Sequence, residues 1–314
     1  MGSSVFIDGE AGTTGLQIFD RLKDRKDISL IRLDDIERKE LKARQEALNA
    51  ADIAILCLPD DAAREAVDLI RNTTTRVIDA STAHRTAEGW TYGFPEYSKD
   101  QRRLIGESNR ISNPGCYSVT SIAMLHPIIA AGLIKADWPI TINAVSGYSG
   151  GGKSLIGEFE GENASPNQQV VFSYALSLKH KHLPEIKRWG GLSHDPIFEP
   201  HVGRYHQGMI VNIPLPLWAM PDKPTPVAIH QTLAAHYENE PFVEIASLGP
   251  PMGSDRLDPE CLNGTNKLRI HVLTNPDGDA VVLSGVLDNL GKGASGQAVQ
   301  TLNFLIGSSE DTGL

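Results

Sequence analysis

Val5-Phe6-Ile7-Asp8-Gly9-Glu10-Ala11-Gly12-Thr13-Thr14-Gly15-Leu16-Gln17-Ile18-Phe19 is the stretch that decides the fold. Val5-Phe6-Ile7 reads as a short buried strand. Gly9, Gly12 and Gly15 make a loop, and Leu16, Ile18, Phe19 and Leu22 then recur at helical spacing. Glycines allow the tight turn and the close backbone approach that a phosphate needs, and the free N–H groups of the helix start bind the anion. The GxxGxxG pattern alone is weak. Its placement directly after the first strand points to a dinucleotide held by Gly9, Gly12, Thr13, Thr14 and Gly15. Asp34 and Asp35, about 20 residues on, suit the ribose 2′-hydroxyl of NAD. Arg32 with the Thr13 and Thr14 hydroxyls suits a 2′-phosphate instead, and position alone leaves both open.

Working outward, residues 29–33 form a second strand candidate and residues 52–58 a third, apolar on both faces. Runs of that kind belong in parallel sheets covered by helices on both sides. Residues 60–71 read as a helix opened by carboxylates, which suits the helix dipole, and residues 76–79 as another strand. Strand and helix in alternation predict an α/β, Rossmann-like, doubly wound dinucleotide-binding domain over residues 1–115. The texture changes after Asn113-Pro114-Gly115. Residues 116–285 carry longer loops and strand candidates at 140–145, 208–213 and 267–273, which predicts an α+β substrate and oligomerisation domain with a mainly antiparallel sheet. A closing helix near residues 293–305 completes the first domain, which takes back residues 286–314.

The 314 residues carry 29 Lys plus Arg against 39 Asp plus Glu, a formal charge of −10. Without a basic run, nucleic acid and anionic membrane are poor partners, while a small anionic substrate is not excluded, since a few Arg residues and helix N-termini serve locally. No apolar run approaches the roughly 18–20 residues of a membrane span, and no secretory signal is visible. Cys57, Cys116 and Cys261 lie far apart with no CxxC pair, so neither a disulfide framework nor a thiolate zinc site is expected, and a reducing, cytoplasmic setting fits best. No metal is expected.

Cys116 follows the turn signal Asn113-Pro114-Gly115 and precedes Val119, Ile122, Ala123 and Ile129, spaced roughly as one helical face. Its thiol therefore stands at a helix N-terminus, whose positive end favours thiolate. The same free amides can hold the oxyanion of a tetrahedral intermediate. Cys57, inside an apolar strand, reads as buried and inert, and Cys261 as a bystander.

Several blocks occur in order: the glycine loop, Asp79-Ala80-Ser81-Thr82-Ala83-His84-Arg85, Tyr92-Gly93-Phe94-Pro95-Glu96, Ser112-Asn113-Pro114-Gly115-Cys116-Tyr117, Ser146-Gly147-Tyr148-Ser149-Gly150, His180-Lys181-His182-Leu183-Pro184-Glu185-Ile186 and Asp288-Asn289-Leu290-Gly291-Lys292-Gly293-Ala294-Ser295-Gly296-Gln297-Ala298. Together they resemble the N-acetyl-gamma-glutamyl-phosphate reductases of arginine biosynthesis. These belong to the wider superfamily of aspartate-semialdehyde dehydrogenase. The resemblance runs from residue 5 to about 305. It implies NADPH (NADP) as cofactor, a small acyl phosphate as substrate and a homo-oligomer, dimer or tetramer, built through the second domain. Lys181 and Lys153 stand where longer members of the family usually carry Arg, and both lose the guanidinium fork.

Reducing an acyl phosphate needs a nucleophile, a hydride donor and an acid or base. Cys116 is the expected nucleophile. A histidine is the expected acid or base, because its ordinary pKa lies near neutrality. Pro184 suits a first helical turn, so residues 180–182 are expected to be extended, with the His180 and His182 rings facing one cleft. The resemblance favours His180 as catalytic, with Glu185 as its charge partner and His182 orienting substrate. His206, ahead of an apolar strand, is the rival. Arg85 follows the Asp79-Ala80-Ser81 strand end, where open sheets place their ligands, and joins Arg204 and Lys153 as cations for the phosphate and carboxylate of the substrate. Ser146, Gly147, Ser149 and Gly150 form a hydroxyl-rich loop for phosphate or for the nicotinamide side of the cofactor, which Ser81 also faces. Asn289 is implied, by resemblance, to bond the nicotinamide amide. The alternatives are an aspartyl-phosphate or other ω-acyl-phosphate reductase and a dinucleotide sensor without turnover. A metal hydrolase lacks ligand spacing here.

Overall fold

The computed structural model describes residues 2–162, 164 and 169–314. Two units divide them: residues 2–115 with Ala294–Leu314, and the described residues between Cys116 and Gly293.

The first unit is built on β1 (Ser3–Asp8), α1 (Thr13–Leu22), β2 (Ile28–Ile31), α2 (Leu41–Ala50), β3 (Ile53–Leu56), α3 (Asp60–Leu69), β4 (Arg76–Asp79), β5 (Thr91–Tyr92), α4 (Gln101–Glu107) and β6 (Arg110–Ser112). Its six strands pair in the order β2-β1-β3-β4-β6-β5, all in parallel. The order reverses between β1 and β3, which is where open sheets of this kind take their ligands. Both faces of the sheet are covered. Val5, Ile7, Ile55 and Ile78 pack against Ile18 and Leu22 of α1 and against the Ala298, Val299 and Leu302 side of the closing helix. Phe6, Ala54, Leu56 and Val77 pack against Leu48 of α2 and Ala63, Ala66 and Leu69 of α3. That two-sided burial is why residues 53–56 read as an unbroken apolar run.

The second unit contains α5 (Cys116–Ala130), β7 (Thr141–Gly147), α6 (Gly152–Glu160), β8 (Val171–Ser173), α7 (Leu183–Gly190), β9 (Ile197–Gly203), β10 (Met209–Leu215), α8 (Pro226–His236), β11 (Val243–Ile245), β12 (Leu268–Thr274) and β13 (Val281–Leu287). Its seven strands run in the order β11-β12-β13-β10-β7-β9-β8. The sheet is mixed: β7 with β9 and β11 with β12 are parallel, and the other pairs antiparallel. α5 packs on β13, β10, α7 and α8. It is buried on every side rather than along one stripe, from Tyr117 through Leu125 and again at Pro127 and Ile128. At Gly285 the helix meets the sheet so closely that a side chain there would run into Thr120. The closing helix, α9 (Gly296–Ile306), is entered through a wide turn over Gly291–Ser295.

Among the described residues, no helix is long and apolar enough to cross a membrane, and no group of three or more His, Cys, Asp or Glu is placed to hold a metal ion.

Candidate active site

Two constellations carry chemistry, one in each unit. In the first, the loop between β1 and α1 has the shape that a diphosphate requires. Gly9 takes φ +88°, and a Cβ there would collide with the Cys57 carbonyl. The Gly12 amide donates to the Gly9 carbonyl at 2.9 Å, and Gly15 lies against that same carbonyl with no room for a side chain. α1 has no acidic residue in its first turn, and the buried Thr13 hydroxyl has no partner within the protein. An anion-ready helix start beside an unmatched buried hydroxyl fits a dinucleotide phosphate.

Around this loop, the candidate side chains take up different partners. Arg32 directly follows β2. Its guanidinium lies 4.4 Å from the Phe19 ring centroid and donates to Glu10 through Nη2 at 2.6 Å and Nε at 3.3 Å. Asp34 Oδ1 accepts from the Glu37 and Ile36 amides at 2.8 Å each, which holds its carboxyl below the usual range. Asp35 pairs with Arg38 at 3.2 Å. Asp8, at the end of β1, is clamped by Arg44 at 2.9 Å.

The β4 end is a second knot. The buried Asp79 accepts from the Ser81 hydroxyl at 2.7 Å and lies 2.6 Å from His84 Nδ1, while His84 stacks on Trp90. Arg85 is buried, and it donates through Nε to the Asn113 carbonyl and through Nη2 to the Ala80 carbonyl, both at 3.0 Å. These bonds make Arg85 a brace between the ends of β4 and β6. Cys57 is inert on physical grounds as well, because desolvation and the carboxylates of Asp79 and Asp8 push its thiol up to about 12.

In the second unit, Cys116 is the first residue of α5 and is partly exposed. The positive end of the helix therefore acts on its sulfur. A Cβ on Gly293 would stand 2.7 Å from the Cys116 Cβ. Two phenols flank the cysteine. Burial, first of all, lifts the Tyr117 hydroxyl well above its ordinary pKa and pushes Tyr174 up to about 12, and a charged Cys116 raises both further. Tyr117 donates to the His201 carbonyl at 3.4 Å, and its ring centroid is 5.9 Å from those of both His180 and His182.

Tyr174 Oη lies 3.4 Å from His180 Nε2. His180 Nδ1 accepts the His182 amide at 3.1 Å, so the neutral ring carries its proton on Nε2. The expected extended run at residues 180–182 is not what forms. The side-chain bond from the His182 amide and the bond from the Leu183 amide to the His180 carbonyl at 3.0 Å curl the segment into a turn. His182 then stands as the cap of α7, with its ring centroid 4.7 Å from that of His180, so a tight turn achieves the juxtaposition. Glu185, in the first turn of α7, is buried.

His206 is held elsewhere. Its Nδ1 is 2.9 Å from Glu160 Oε1 at the end of α6, and Glu160 also accepts the Tyr148 hydroxyl at 2.7 Å. Those two bonds lower the Glu160 carboxyl. Arg204 is exposed and lies close enough to Tyr148 to act on its phenol.

Ser146, Gly147, Ser149 and Gly150 form one knot with His206 and Asn289. A Cβ on Gly147 would stand 2.6 Å from the His206–Gln207 backbone, and one on Gly150 would stand 3.2 Å from Ser146 Oγ. Asn289 is buried; its Oδ1 accepts the Gly208 amide at 2.7 Å and its Nδ2 donates to Ser149 Oγ at 3.0 Å. Asn289 is therefore the strut that joins the two loops.

The residues that sequence reasoning missed are Tyr174, whose position six residues before His180 carries no signal, and Tyr117, whose only signal is adjacency to the cysteine. Asp288 is a third. Fully buried, it accepts the Gly264 amide at 2.8 Å and the Leu290 amide at 2.9 Å.

Comparison with known proteins follows this division. Residues 5–105 match the family model described as semialdehyde dehydrogenase, NAD binding domain, and residues 116–289 match semialdehyde dehydrogenase, dimerisation domain. The chain is 50% identical over 305 residues to the N-acetyl-gamma-glutamyl-phosphate reductase of Burkholderia orbicola, covering 97% of each chain. It is 48% identical over 317 residues to that of Trichormus variabilis, covering 99% of this chain and 98% of the relative. Among solved structures, aspartate semialdehyde dehydrogenase II of Vibrio cholerae complexed with ASA is similar in fold, with a TM-score of 0.66 at 16% identity over 98% of both chains. Aspartate semialdehyde dehydrogenase of Candida albicans with NADP is similar too, with a TM-score of 0.63 at 13% identity over 97% of this chain and 98% of that one.

Proposed function

Because the chain belongs to the N-acetyl-gamma-glutamyl-phosphate reductases of the semialdehyde dehydrogenase family, we propose that it reduces N-acetyl-gamma-glutamyl phosphate to N-acetylglutamate semialdehyde and phosphate. The observation that carries this reading is the partly exposed Cys116 at the start of α5, with Tyr117 and Tyr174 linking its surroundings to His180.

The Cys116 thiolate attacks the γ-acyl carbon. A C–S bond forms, the C–O bond to phosphorus breaks, and phosphate leaves with the electron pair. The nicotinamide dinucleotide supplies a hydride when bound. Loss of the sulfur from the resulting thiohemiacetal frees the aldehyde and restores the thiolate. The backbone amides of the first turn of α5 stabilise the carbonyl oxygen as it gains charge, and His180 acts as acid in its imidazolium form, giving its Nε2 proton to the thiohemiacetal oxygen and taking it back as the sulfur leaves. Tyr174, kept protonated by burial, orients that ring through Nε2. His206, paired with Glu160, is assigned to loop structure and not to proton transfer.

The reductant is NADPH rather than NADH. Arg32 occupies the strand-end position, so a 2′-phosphate has a cation to meet, while Asp34 Oδ1 is engaged by two backbone amides. Gly9, Gly12, Thr13, Thr14 and Gly15 hold the diphosphate. Among the sequence-derived substrate cations, Arg204 and Lys153 are exposed and Arg85 is buried. A homo-oligomer forms through the second unit, where Val170, Val171, Leu176 and Leu178 expose apolar side chains along one stretch. A reducing cytoplasm keeps Cys116 as a thiol.

The test is the reverse reaction. N-acetylglutamate semialdehyde with NADP and phosphate gives NADPH absorbance, and leaving out phosphate abolishes it. Undiminished initial rates without phosphate would overturn the acyl-phosphate assignment.

A further inference from the structure

The glycine loop carries a carboxylate where a diphosphate site would be expected to avoid one. Glu10 stands inside the loop, between Gly9 and Gly12. It occupies the Nε–Nη2 edge of Arg32, the edge best shaped for a bidentate anion. The Phe19 ring lies beneath the same guanidinium, so Arg32 is fixed on one face by an aromatic ring and along one edge by a carboxylate. The Arg32 side chain is still 57% exposed and Glu10 25%, so the pair is open to an incoming anion.

We propose that Glu10 is a built-in counter-ion of Arg32 that moderates how strongly the protein discriminates the 2′-phosphate of NADP from the 2′-hydroxyl of NAD. This rests on the NADP reading above and names the residue that tunes it. A phosphate monoester brings about −1.5 to −2 charges at neutral pH. To bind Arg32 it must displace Glu10 from the fork or share the guanidinium with it, and either way one negative charge already neutralises the cation. A 2′-hydroxyl has no charge to compete with and leaves the pair as it is. Glu10 therefore weakens 2′-phosphate binding selectively. While the site is empty of nucleotide, it also keeps Arg32 laid over Phe19 and ready, which favours rapid cofactor exchange.

The experiment uses calorimetric titration with two probes, adenosine 2′,5′-bisphosphate and 5′-AMP, on the full chain, on Glu10→Gln, on Arg32→Met and on the double variant. Gln keeps the size and a hydrogen-bond acceptor but removes the charge. For the bisphosphate, Glu10→Gln binds roughly two- to fivefold more tightly, the scale of one exposed ion pair. Arg32→Met binds roughly 10- to 100-fold more weakly, the scale of a charged bidentate contact. Affinity for 5′-AMP changes little in either, which also reports that the loop is folded. In the Arg32→Met background the Glu10 effect disappears, as coupling through one cation requires.

A Glu10→Gln protein that binds the bisphosphate no better, or more weakly, overturns the proposal while leaving NADP as cofactor. So does a tightening that survives in the double variant. If the unaltered protein binds both probes equally, it is the NADP reading that fails.

Discussion

Gly293 and Cys116 approach so closely that a single methyl group on the glycine would come within 2.7 Å of the cysteine Cβ and 3.2 Å of its Cα. The segment that follows Asp288 is thus fitted against the nucleophile, and the Gly293 amide is fixed by a bond to the Asp288 carbonyl at 3.0 Å. Overpacking of this kind costs about 1–3 kcal/mol. Gly293→Ala should remain folded by circular dichroism yet lose most turnover, because the displaced atom belongs to the reacting residue. Normal kcat in that variant would show that Cys116 tolerates the shift.

The three thiols should separate by reactivity. Iodoacetamide at pH 7 modifies Cys116 first, and substrate protects it. Cys57 stays unmodified, since its thiol is pushed up to about 12. Peptide mass mapping reads this directly. Cys116→Ser lowers kcat more than about a thousandfold, and Cys57→Ser has little effect.

His180→Asn should lower kcat by about 10²–10⁴, the range for loss of a positioned acid, with KM changing far less. His206→Asn retains most turnover, because its ring pairs with the exposed Glu160. The opposite ranking would move the acid role to His206. Tyr174→Phe acts through His180 and shifts the alkaline limb of the pH–rate profile, where the imidazolium loses its proton, which a merely structural tyrosine would not do.

Removing the Asn289 carboxamide leaves the Gly208 amide and Ser149 hydroxyl without their buried partner. Asn289→Ala should cost about 1–3 kcal/mol in urea unfolding and raise KM through the loosened 147–150 loop. Asn289→Asp keeps the acceptor for Gly208 but not the donor to Ser149, and so recovers part of the stability.

His126 gives a pH dependence of stability. An unfolded histidine titrates near 6.5, whereas burial, and next the neighbouring His236, hold His126 down to about 4. Between those values the unfolded chain binds more protons than the folded one. Stability therefore declines as pH falls from 6.5 toward 4 and is unaffected by this group above 7. The urea midpoint measured across that range follows this slope, and His126→Gln flattens it.

Much of the architecture was legible because its signals are local. Glycine spacing after Val5-Phe6-Ile7 set the β1–α1 turn, the two-sided apolar run near Ile53 set a buried parallel strand, and Asn113-Pro114-Gly115 placed Cys116 at a helix start. Partner choice was not legible. Nothing local shows that β9 runs parallel to β7 and antiparallel to β8, one of two parallel pairings within a sheet that is otherwise antiparallel, as expected. Arg85 read as a substrate cation because its sequence position follows a strand end, but two backbone carbonyls claim its guanidinium. Asn289 is similar, with both of its bonds crossing at least 81 residues of chain. The turn at His180 was missed because a proline at a helix start constrains the residue before it and says little about a side chain that bonds its own backbone two residues on.

The helix that begins with Cys116 has no solvent face along most of its length. Its amides beyond the first turn should be among the last in the second unit to exchange with deuterium, since they open only when that unit does. Heat should therefore not disarm the cysteine by fraying it loose beforehand: catalytic competence and the fold of this unit should disappear at one temperature.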